Sequence, residues 1–232
     1  MDLNGSVVLV TGANGGLGRE FVRQLLERGA AKVYAAARRP NEWSDRRIVP
    51  LRLDVTDPAS VHEAAASADD VTVLVNNAGI TGASSLLSSP IGEIRDVFET
   101  NVFGPLQLMR EFAPALAAHG GGSVVNVHSV LSWLATPGAY SSSKAAFWGL
   151  TNALRLELAA QATQVVGAHL GFTDTPMIAQ LDVPKADPAH VVANILHALE
   201  AGDDEALADD FTVRVRAGLS GATTGVTSTP LS

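Results

Sequence analysis

A tyrosine and a lysine four positions apart, Tyr140 and Lys144 in the segment AYSSSKAAF, are the residues best suited to chemistry. Residues at i and i+4 lie on one face of a helix, one turn apart. A phenol has an ordinary pKa of about 10 and is a poor acid–base group at neutral pH. A neighbouring ammonium favours the phenolate and lowers that pKa, so the pair predicts a proton-transfer unit.

A glycine-rich segment near the N-terminus is the second feature that indicates function. The run TGANGGLG, from Thr11 to Gly18, follows a predicted strand and begins a predicted helix. Its glycines permit a tight turn and a close approach of the backbone to a pyrophosphate, and the helix N-terminus supplies N–H donors. The spacing differs from G-x-G-x-x-G, but the strand–turn–helix context predicts a dinucleotide cradle. We assign to this cradle Thr11, Gly12, Asn14, Gly16, Leu17 and Gly18.

The residues after the second predicted strand predict which dinucleotide is bound. Many NAD enzymes place an acidic residue about 20 positions beyond the glycine turn, where it binds the ribose 2′-hydroxyl. Here Arg38 stands 20 positions after Gly18 (38 − 18), and Arg39 follows it. Guanidinium groups suit a 2′-phosphate, so we expect NADP(H) to be preferred over NAD(H). The alternative is a solvated pair of surface arginines.

Two further groups of polar residues close predicted strands. Asp54 could accept a hydrogen bond from the adenine amine, or it could be a turn aspartate, although Asp57 fits a helix cap better. The NNAG run at 76–79 ends the fourth strand, at the edge where such sheets bind ligands. Its asparagines could equally satisfy local backbone groups, and both interpretations remain open. We assign to the cofactor site Asp54, Val55, Asn76, Ala78 and Gly79.

Composition restricts the class of protein. The chain has 232 residues, 47 % of them apolar and 17 % charged, which is typical of one globular domain. A net charge of -8 disfavours a nucleic-acid partner, and the absence of cysteine excludes disulfides and thiolate catalysis. The single histidines are scattered, so no metal site is expected. The N-terminus does not resemble a signal peptide and no apolar run approaches the roughly 20 residues of a membrane span, so we expect a soluble, cytoplasmic protein.

Short apolar runs alternate with longer helical patterns along the chain. The predicted strands are 6–10, 32–36, 48–53, 71–75, 123–127 and 164–170. The predicted helices are 16–28, 58–68, 92–119, 140–160, a short one near 175–180, and 188–201. This alternation predicts an α/β fold, a doubly wound parallel sheet of Rossmann-like type, in a single domain. We place that domain at residues 1–220 and a flexible tail at 221–232.

The motifs occur in an order that resembles the short-chain dehydrogenase/reductase superfamily, from about residue 7 to residue 177. They are TGANGGLG, Asp54, NNAG at 76–79, Asn101 in ETNVFG, Ser129 in VVNVHS, and the pair Tyr140 and Lys144. The resemblance implies hydride transfer between nicotinamide C4 and a carbonyl or carbinol carbon. An NADP(H)-dependent enzyme of the carbonyl reductase or alcohol dehydrogenase type is therefore the leading hypothesis.

The same resemblance implies a role for each site residue. Tyr140 would be the general acid in reduction and the base in oxidation, and Ser129 would orient the carbonyl oxygen. Lys144 would bind the nicotinamide ribose and lower the tyrosine pKa, and Asn101 would hold a water that relays protons. The segment LGFTDTPM resembles the one that contacts the nicotinamide carboxamide. From it we assign to the cofactor site Gly171, Phe172 and Thr175, together with Tyr140 and Lys144.

The chain departs from the family pattern at two places. Leu170 stands where the family usually has proline, and Tyr140 follows Ser129 by 11 positions (140 − 129), about two fewer than usual. A shorter connection would widen the pocket or move Ser129, and a shift of about 1 Å can cost about 100-fold in rate. Ser132 is the alternative for the role of Ser129. His128 is a poor partner for Ser129, because adjacent strand residues point to opposite faces.

The loops at the carboxyl ends of the strands predict the substrate. Their side chains are mostly apolar, which favours an uncharged, hydrophobic ketone, aldehyde or secondary alcohol. The predicted pocket walls are Leu131, Trp133, Leu134 and Met177. The helix that begins at Tyr140 has apolar residues on more than one side, so we expect a homodimer or homotetramer.

Two other functions are compatible with the motifs. An epimerase or dehydratase of the same fold is disfavoured, because the short C-terminal region leaves little room for the larger substrate domain typical of those enzymes. A catalytically silent NADP-binding sensor or scaffold is disfavoured by the intact set of Asn101, Ser129, Tyr140 and Lys144.

Overall fold

Seven parallel strands form one sheet in the order β3-β2-β1-β4-β5-β6-β7 in the computed structural model, which describes residues 1–219. The strands are β1 Val7–Thr11, β2 Lys32–Ala37, β3 Ile48–Arg52, β4 Val73–Asn76, β5 Ser123–Val127, β6 Gln164–His169 and β7 Glu205–Leu207. The strand order reverses between β1 and β4, which creates the crevice where doubly wound sheets bind ligands. The predicted fold class is confirmed.

The helices pack on both faces of this sheet. They are α1 Gly16–Glu27, α2 Pro58–Ser67, α3 Ile91–Phe98, α4 Gly104–Ala118, α5 Ala139–Leu158, α6 Pro188–Ala201 and α7 Asp210–Gly218. One buried cluster joins α1 and α6 to the sheet, and a second joins α2, α4 and α5 to its other face. Val8 and Leu9 of β1 belong to opposite clusters, so the strand is buried on both faces, as parallel strands usually are.

Local sequence explains where several helices begin. Asp57 accepts a hydrogen bond from the Ala59 amide and caps α2, the role predicted for it. Asp187 caps α6 in the same way through the Ala189 amide, and a proline follows each cap. Capping groups of this kind stabilise a helix by about 1 kcal/mol each.

A single π-helical turn, Glu99–Phe103, joins α3 to α4. Such a turn inserts an extra residue into an α-helix and is frequent at functional sites. Asn101 lies within it and is 1 % exposed, so the irregular turn determines where this side chain points.

The C-terminal part of the fold differs from the sequence prediction. β7 has only three residues, too few for a periodic pattern to reveal. The sequence analysis predicted no element after residue 201, but α7 forms there, and Asp209 caps it by accepting a hydrogen bond from the Thr212 amide. The short helix predicted near 175–180 is a 3-10 turn, Pro176–Ile178. The tail predicted at 221–232 lies outside the described residues.

Residues 1–219 contain neither a membrane-spanning helix nor a group of side chains that could bind a metal ion. None of the helices is both long and apolar enough to cross a bilayer. Nowhere in this part of the chain do three or more His, Asp or Glu side chains come together as a possible metal site.

Candidate active site

A cleft of about 280 Å³ opens at the carboxyl ends of the central strands. It lies where the strand order reverses, between β1 and β4. The residues that line it come from segments far apart in the chain. They are Gly12, Gly15, Gly16, Leu17, Asn77, Ala78, Gly79, Val127, His128, Tyr140, Lys144, Leu170, Thr175, Pro176 and Met177.

The glycines of the cradle stand where a side chain would not fit. A Cβ atom on Gly12, whose φ is +66°, would lie 3.1 Å from Ala78 Cα. One on Gly18 would lie 2.1 Å from the Gly12 carbonyl oxygen, so helix and strand can pack closely only with glycine there. Gly16, with φ +49°, lies across the cleft from Thr175, whose Cγ2 would be 3.3 Å from an added Cβ. This bare backbone at the start of α1 fits the pyrophosphate of a dinucleotide.

Hydrogen bonds hold the NNAG run against the cradle. The Thr11 hydroxyl accepts from the amides of Asn77 and Ala78, each at 2.9 Å, and Asn77 Nδ2 donates to the Thr11 carbonyl at 2.8 Å. Asn77 therefore lines the cleft, although the sequence analysis assigned only its neighbours. The assignment of Asn76 to the cofactor site is corrected by the structure. Asn76 is 2 % exposed, does not line the cleft, and donates from Nδ2 to Asn126 Oδ1 at 2.8 Å. Its structural interpretation is the better one.

Asn14 connects the cradle to the loop after β2 that contains Arg38 and Arg39, which we call the arginine loop. Its Nδ2 donates to the Arg39 carbonyl at 2.6 Å, and its Oδ1 accepts from the Asn41 amide at 3.1 Å. Arg38 is exposed next to this anchor. Hydrogen bonds from Thr56 lower the pKa of Asp54, and the charge of Arg38 adds to that effect. The structure thus places Arg38 and Asp54 within electrostatic reach of one another.

The remaining predicted cofactor residues differ in position. Thr175 lines the cleft opposite Gly16. Gly171 and Phe172 are not among the lining residues. The Gly171 amide donates to Asp209 Oδ2 at 2.6 Å, and the Phe172 carbonyl accepts from the Ala186 amide at 2.8 Å. These bonds fix the path of the segment that leads to Thr175. Val55 is 8 % exposed and belongs to the core cluster with α2 and α4, and it does not line the cleft either.

The start of α5 fixes the position of Tyr140. Gly138 precedes the helix with φ +97°, and an added Cβ would lie 2.6 Å from the Ala83 carbonyl oxygen. That carbonyl also accepts from the Ala139 amide at 2.9 Å. Tyr140 is the second residue of the helix and Lys144 follows one turn later, as the spacing predicted.

Burial dominates the electrostatics of this pair. It raises the pKa of Tyr140 to about 12, and a hydrogen bond with the Ser129 side chain opposes the rise. Burial also lowers the pKa of Lys144 to about 8. The Lys144 ammonium donates to the Val127 carbonyl at 2.8 Å and lies 5.8 Å from the centre of the Tyr140 ring. Desolvation of the phenolate outweighs the effect of the Ser129 hydrogen bond, so the pKa of Tyr140 lies above its ordinary value and the expected lowering is not found.

Ser129, and not Ser132, reaches the tyrosine. It follows β5, and besides its bond with the phenol its Oγ accepts from the Leu131 amide at 3.1 Å. The Ser132 hydroxyl is buried and has no hydrogen-bond partner within the described part of the chain. Ser129 therefore remains the better candidate for orienting a substrate oxygen beside Tyr140.

Asn101 lies near Lys144, at the end of the NNAG run. Its amide accepts from the Ile80 amide and donates to the Ile80 carbonyl, both at 2.9 Å, and it also donates to Ser143 Oγ at 3.0 Å. A Cβ on Gly79 would be 3.3 Å from Asn101 Oδ1 and 3.7 Å from Lys144 Nζ. These two polar atoms therefore flank Gly79 at the end of the NNAG run.

The predicted substrate walls are only partly found. Met177 lines the cleft and is 41 % exposed, whereas Leu131 and Leu134 are not among the lining residues. The assignment of Trp133 to the pocket wall is corrected by the structure. Its side chain is buried, and its ring stacks on His169 with 3.9 Å between centres. The sequence analysis did not assign several residues that line the cleft. Most of them follow the end of a strand or belong to the cradle, and this position could have identified them. They are Gly15, Asn77, Val127, His128, Leu170 and Pro176.

Two buried histidines should make the free energy of unfolding depend on pH. Burial lowers the pKa of His169 to about 4 and that of His128 well below 6.5. Unfolded histidines take up a proton near pH 6.5, whereas the folded chain keeps both rings neutral. The free energy of unfolding should therefore fall as pH decreases from 6.5 towards 4, by about 3 kcal/mol for His169 alone.

Urea unfolding at pH 7, 6 and 5 measures this dependence. Replacing His169 by Asn should make it shallower, with the share of His128 remaining, while the same change at the exposed His197 should leave it as in the wild type. Equal pH dependence in the wild type and the His169 variant would contradict the prediction.

Comparisons with known proteins agree with this geometry. The sequence model of the short chain dehydrogenase family matches residues 6–185. The 3-oxoacyl-[acyl-carrier-protein] reductase FabG of Escherichia coli is 29 % identical over 94 % of this chain and 99 % of its own length. A short chain dehydrogenase from Burkholderia cenocepacia J2315, solved in complex with NADP, is 37 % identical, with a TM-score of 0.90 over 97 % of each chain.

One further structure shares the fold alone. It is a short chain dehydrogenase/reductase from Burkholderia phymatum in complex with NAD, 22 % identical, with a TM-score of 0.85 over 100 % of this chain and 99 % of its own. The family match covers most of the chain, and it includes the cradle, the serine and the tyrosine–lysine pair. The chain therefore belongs to the short-chain dehydrogenase/reductase superfamily of oxidoreductases.

Proposed function

We propose that this chain is an NADP(H)-dependent oxidoreductase of the carbonyl reductase or alcohol dehydrogenase type. It would reduce an uncharged, hydrophobic ketone or aldehyde, or oxidise the corresponding secondary alcohol. The observation that carries the proposal is the convergence of Ser129 on the Tyr140 hydroxyl, one helical turn from Lys144, at a cleft with a glycine cradle.

Each residue of the site would have a separate role in the reaction. Bound NADP(H) would supply or accept the hydride. The high pKa of Tyr140 keeps its proton in place at neutral pH, ready for transfer to a carbonyl oxygen as negative charge develops there. Ser129 would donate a hydrogen bond to the same oxygen. Lys144 would bind the ribose and place a positive charge near the phenol, and in oxidation Tyr140 would accept the proton.

The arginine loop supports NADP(H) as the preferred cofactor. Arg38 occupies the position where NAD enzymes commonly have an acid, and Asn14 holds the loop beside the cradle. The relative solved with NADP is 37 % identical over almost the whole chain. The cradle glycines would lie against the pyrophosphate, and Thr175 would contact the nicotinamide carboxamide.

Arg38→Ala should weaken NADPH binding far more than NADH binding, because only NADPH has a 2′-phosphate. Charged hydrogen bonds contribute about 1.5–3 kcal/mol, so we expect the Kd of NADPH to rise about 10- to 150-fold and that of NADH less than threefold. Fluorescence titration with each cofactor measures both. Arg39→Ala is the matched control and should have a smaller effect. Equal losses for both cofactors, or a wild type that prefers NADH, would refute the cofactor assignment.

Apolar side chains around the cleft support a hydrophobic substrate. Lys144 is the one Asp, Glu, Lys or Arg side chain that lines the cleft within residues 1–219. Met177 lines it too, and Leu181, which is 39 % exposed, follows in the same segment.

A panel of carbonyl compounds tests the proposed function. NADPH oxidation should be measured with aromatic ketones, aliphatic aldehydes, an aldose and a 3-oxoacyl thioester, each with wild type and Tyr140→Phe. Turnover confined to uncharged ketones or aldehydes and lost in the variant is the expected result. Turnover only with the thioester would replace the substrate class, and tight NADPH binding without any turnover would favour a silent sensor.

Assembly and location complete the proposal. We expect a homodimer or homotetramer in the cytoplasm, with a small molecule as the substrate. Phe103 and Leu156, which are 44 % and 79 % exposed, support association through the region of α4 and α5. Light scattering of the purified chain measures the mass.

A further inference from the structure

A buried aromatic cluster lies directly behind Ser129. His169, at the end of β6, is fully buried, and its ring stacks on Trp133 with an angle of 18° between the planes. Trp148 of α5 meets Trp133 edge-on at 6.2 Å, and the Arg216 guanidinium of α7 lies 5.5 Å from the Trp133 ring. The cluster thus connects the catalytic loop to β6, α5 and α7.

His169 also faces the backbone of the catalytic serine. Its Nδ1 lies 3.4 Å from the Ser129 carbonyl oxygen. A carbonyl can only accept, so a hydrogen bond here requires the proton on Nδ1. The other ring nitrogen, Nε2, is 3.8 Å from Glu205 Oε1, too far for a hydrogen bond. Glu205 is held by the Trp148 indole N–H at 3.2 Å and by Arg216 at 2.8 Å.

The backbone around Ser129 is attached to β6 on the same side. The Val130 amide donates to the Leu170 carbonyl, and the His128 amide donates to the Ala168 carbonyl, both at 2.7 Å. His169 therefore lies between two main-chain attachments of the loop. Its imidazole adds the one side-chain contact that the structure gives the Ser129 carbonyl from β6 within residues 1–219.

We propose that His169 is a positioning residue that fixes the catalytic Ser129 through its carbonyl. The stack with Trp133 keeps the imidazole plane in place, and the Nδ1–H prevents the strand end from rotating. The connection to Tyr140 is short, so the loop has few residues with which to absorb such a rotation. The inference rests on the proposed function, because it assumes that Ser129 orients the substrate carbonyl.

Two substitutions separate the hydrogen bond from the stack. His169→Phe keeps a stacking ring and loses the donor, whereas His169→Asn keeps an N–H near the position of Nδ1 and loses the ring. We expect His169→Phe to lower kcat about 10- to 100-fold, with the KM for NADPH changed less than threefold, because a displacement of about 1 Å has an effect of that size. His169→Asn should retain more of kcat. His197→Phe, at an exposed histidine, is the control.

A second measurement does not depend on turnover. The chain has two tyrosines, so in a Tyr34→Phe background a 13C-labelled tyrosine gives one NMR signal, from Tyr140. His169→Phe should shift that signal in the same direction as Ser129→Ala, because both changes disturb the bond between serine and phenol. His197→Phe should not move it.

The outcomes are distinct. A His169→Phe enzyme with kcat within twofold of His197→Phe would overturn the proposal, as would an NMR signal that moves in Ser129→Ala but stays in place in His169→Phe. Equal loss of kcat in the Phe and Asn variants, together with equally lowered thermal stability, would make His169 merely structural. A wild type without turnover on any carbonyl would refute the proposed function, and the NMR comparison would still decide whether His169 fixes Ser129.

Discussion

Replacing Tyr140 by phenylalanine is expected to remove nearly all turnover and leave the fold intact. The change keeps the ring and its packing and removes only the hydroxyl that would transfer the proton. A positioned acid or base contributes about 10²–10⁴-fold, so kcat for ketone reduction should fall at least 100-fold. The decrease in NADPH absorbance at saturating substrate measures it.

Tyr34→Phe is the matched control, since Tyr34 is the only other tyrosine in the chain. Its hydroxyl donates to Asp70 at 2.9 Å, away from the cleft, so kcat should stay within twofold of the wild type. NADPH affinity and thermal unfolding should be close to normal in the Tyr140 variant. If that variant kept more than a tenth of the wild-type turnover, Tyr140 would not be the acid.

Ser129→Ala should cost about 10²–10³-fold in kcat, and Ser132→Ala much less. A donor that stabilises a developing oxyanion must lie within about 2.7–3.1 Å of the reacting oxygen. Ser129 is held at the rigid end of β5 and hydrogen-bonds the phenol, whereas the Ser132 hydroxyl is buried in the loop. Steady-state kinetics of both variants, with thermal unfolding as the check on folding, give the comparison.

The losses of kcat in the two serine variants distinguish the possible roles of Ser129 and Ser132. A large loss in Ser132→Ala and a small one in Ser129→Ala would exchange the two roles. Small losses in both would mean that no serine of the shortened loop orients the carbonyl, and the proposed catalytic assignment would fail. The Ser129 loss should appear in kcat and not in the KM for NADPH, because the serine lies outside the cradle.

Much of the fold could be predicted from local patterns. Six of the seven strands follow from short apolar runs, and α2 and α6 begin at an aspartate followed by a proline. Patterns of this kind act within one or two turns of chain, so the sequence contains the information directly. β7 and α7 were not predicted, because a three-residue strand has no period and α7 is a short helix of nine residues.

The tyrosine–lysine pair and the glycine cradle were equally readable, because their spacing reflects helix geometry and backbone conformation. The sequence also identified Asn101, but not the π-helical turn that aims its amide at Ile80. It favoured Ser129 over Ser132, but it could not give the distance of either hydroxyl to Tyr140, since both distances depend on how the loop closes. Residue type and order along the chain therefore established the family and the set of candidate residues.

Tertiary structure alone decided the electrostatics and the packing behind the site. Trp133 was expected on the pocket wall, but it stacks on His169, one of the scattered histidines for which no metal site was expected. The pKa of Tyr140 was expected to fall beside Lys144, but it rises to about 12, because burial of the phenol outweighs its hydrogen bond with Ser129. Desolvation and stacking depend on atoms brought together from strands and helices far apart in the chain, and no local pattern encodes that sum.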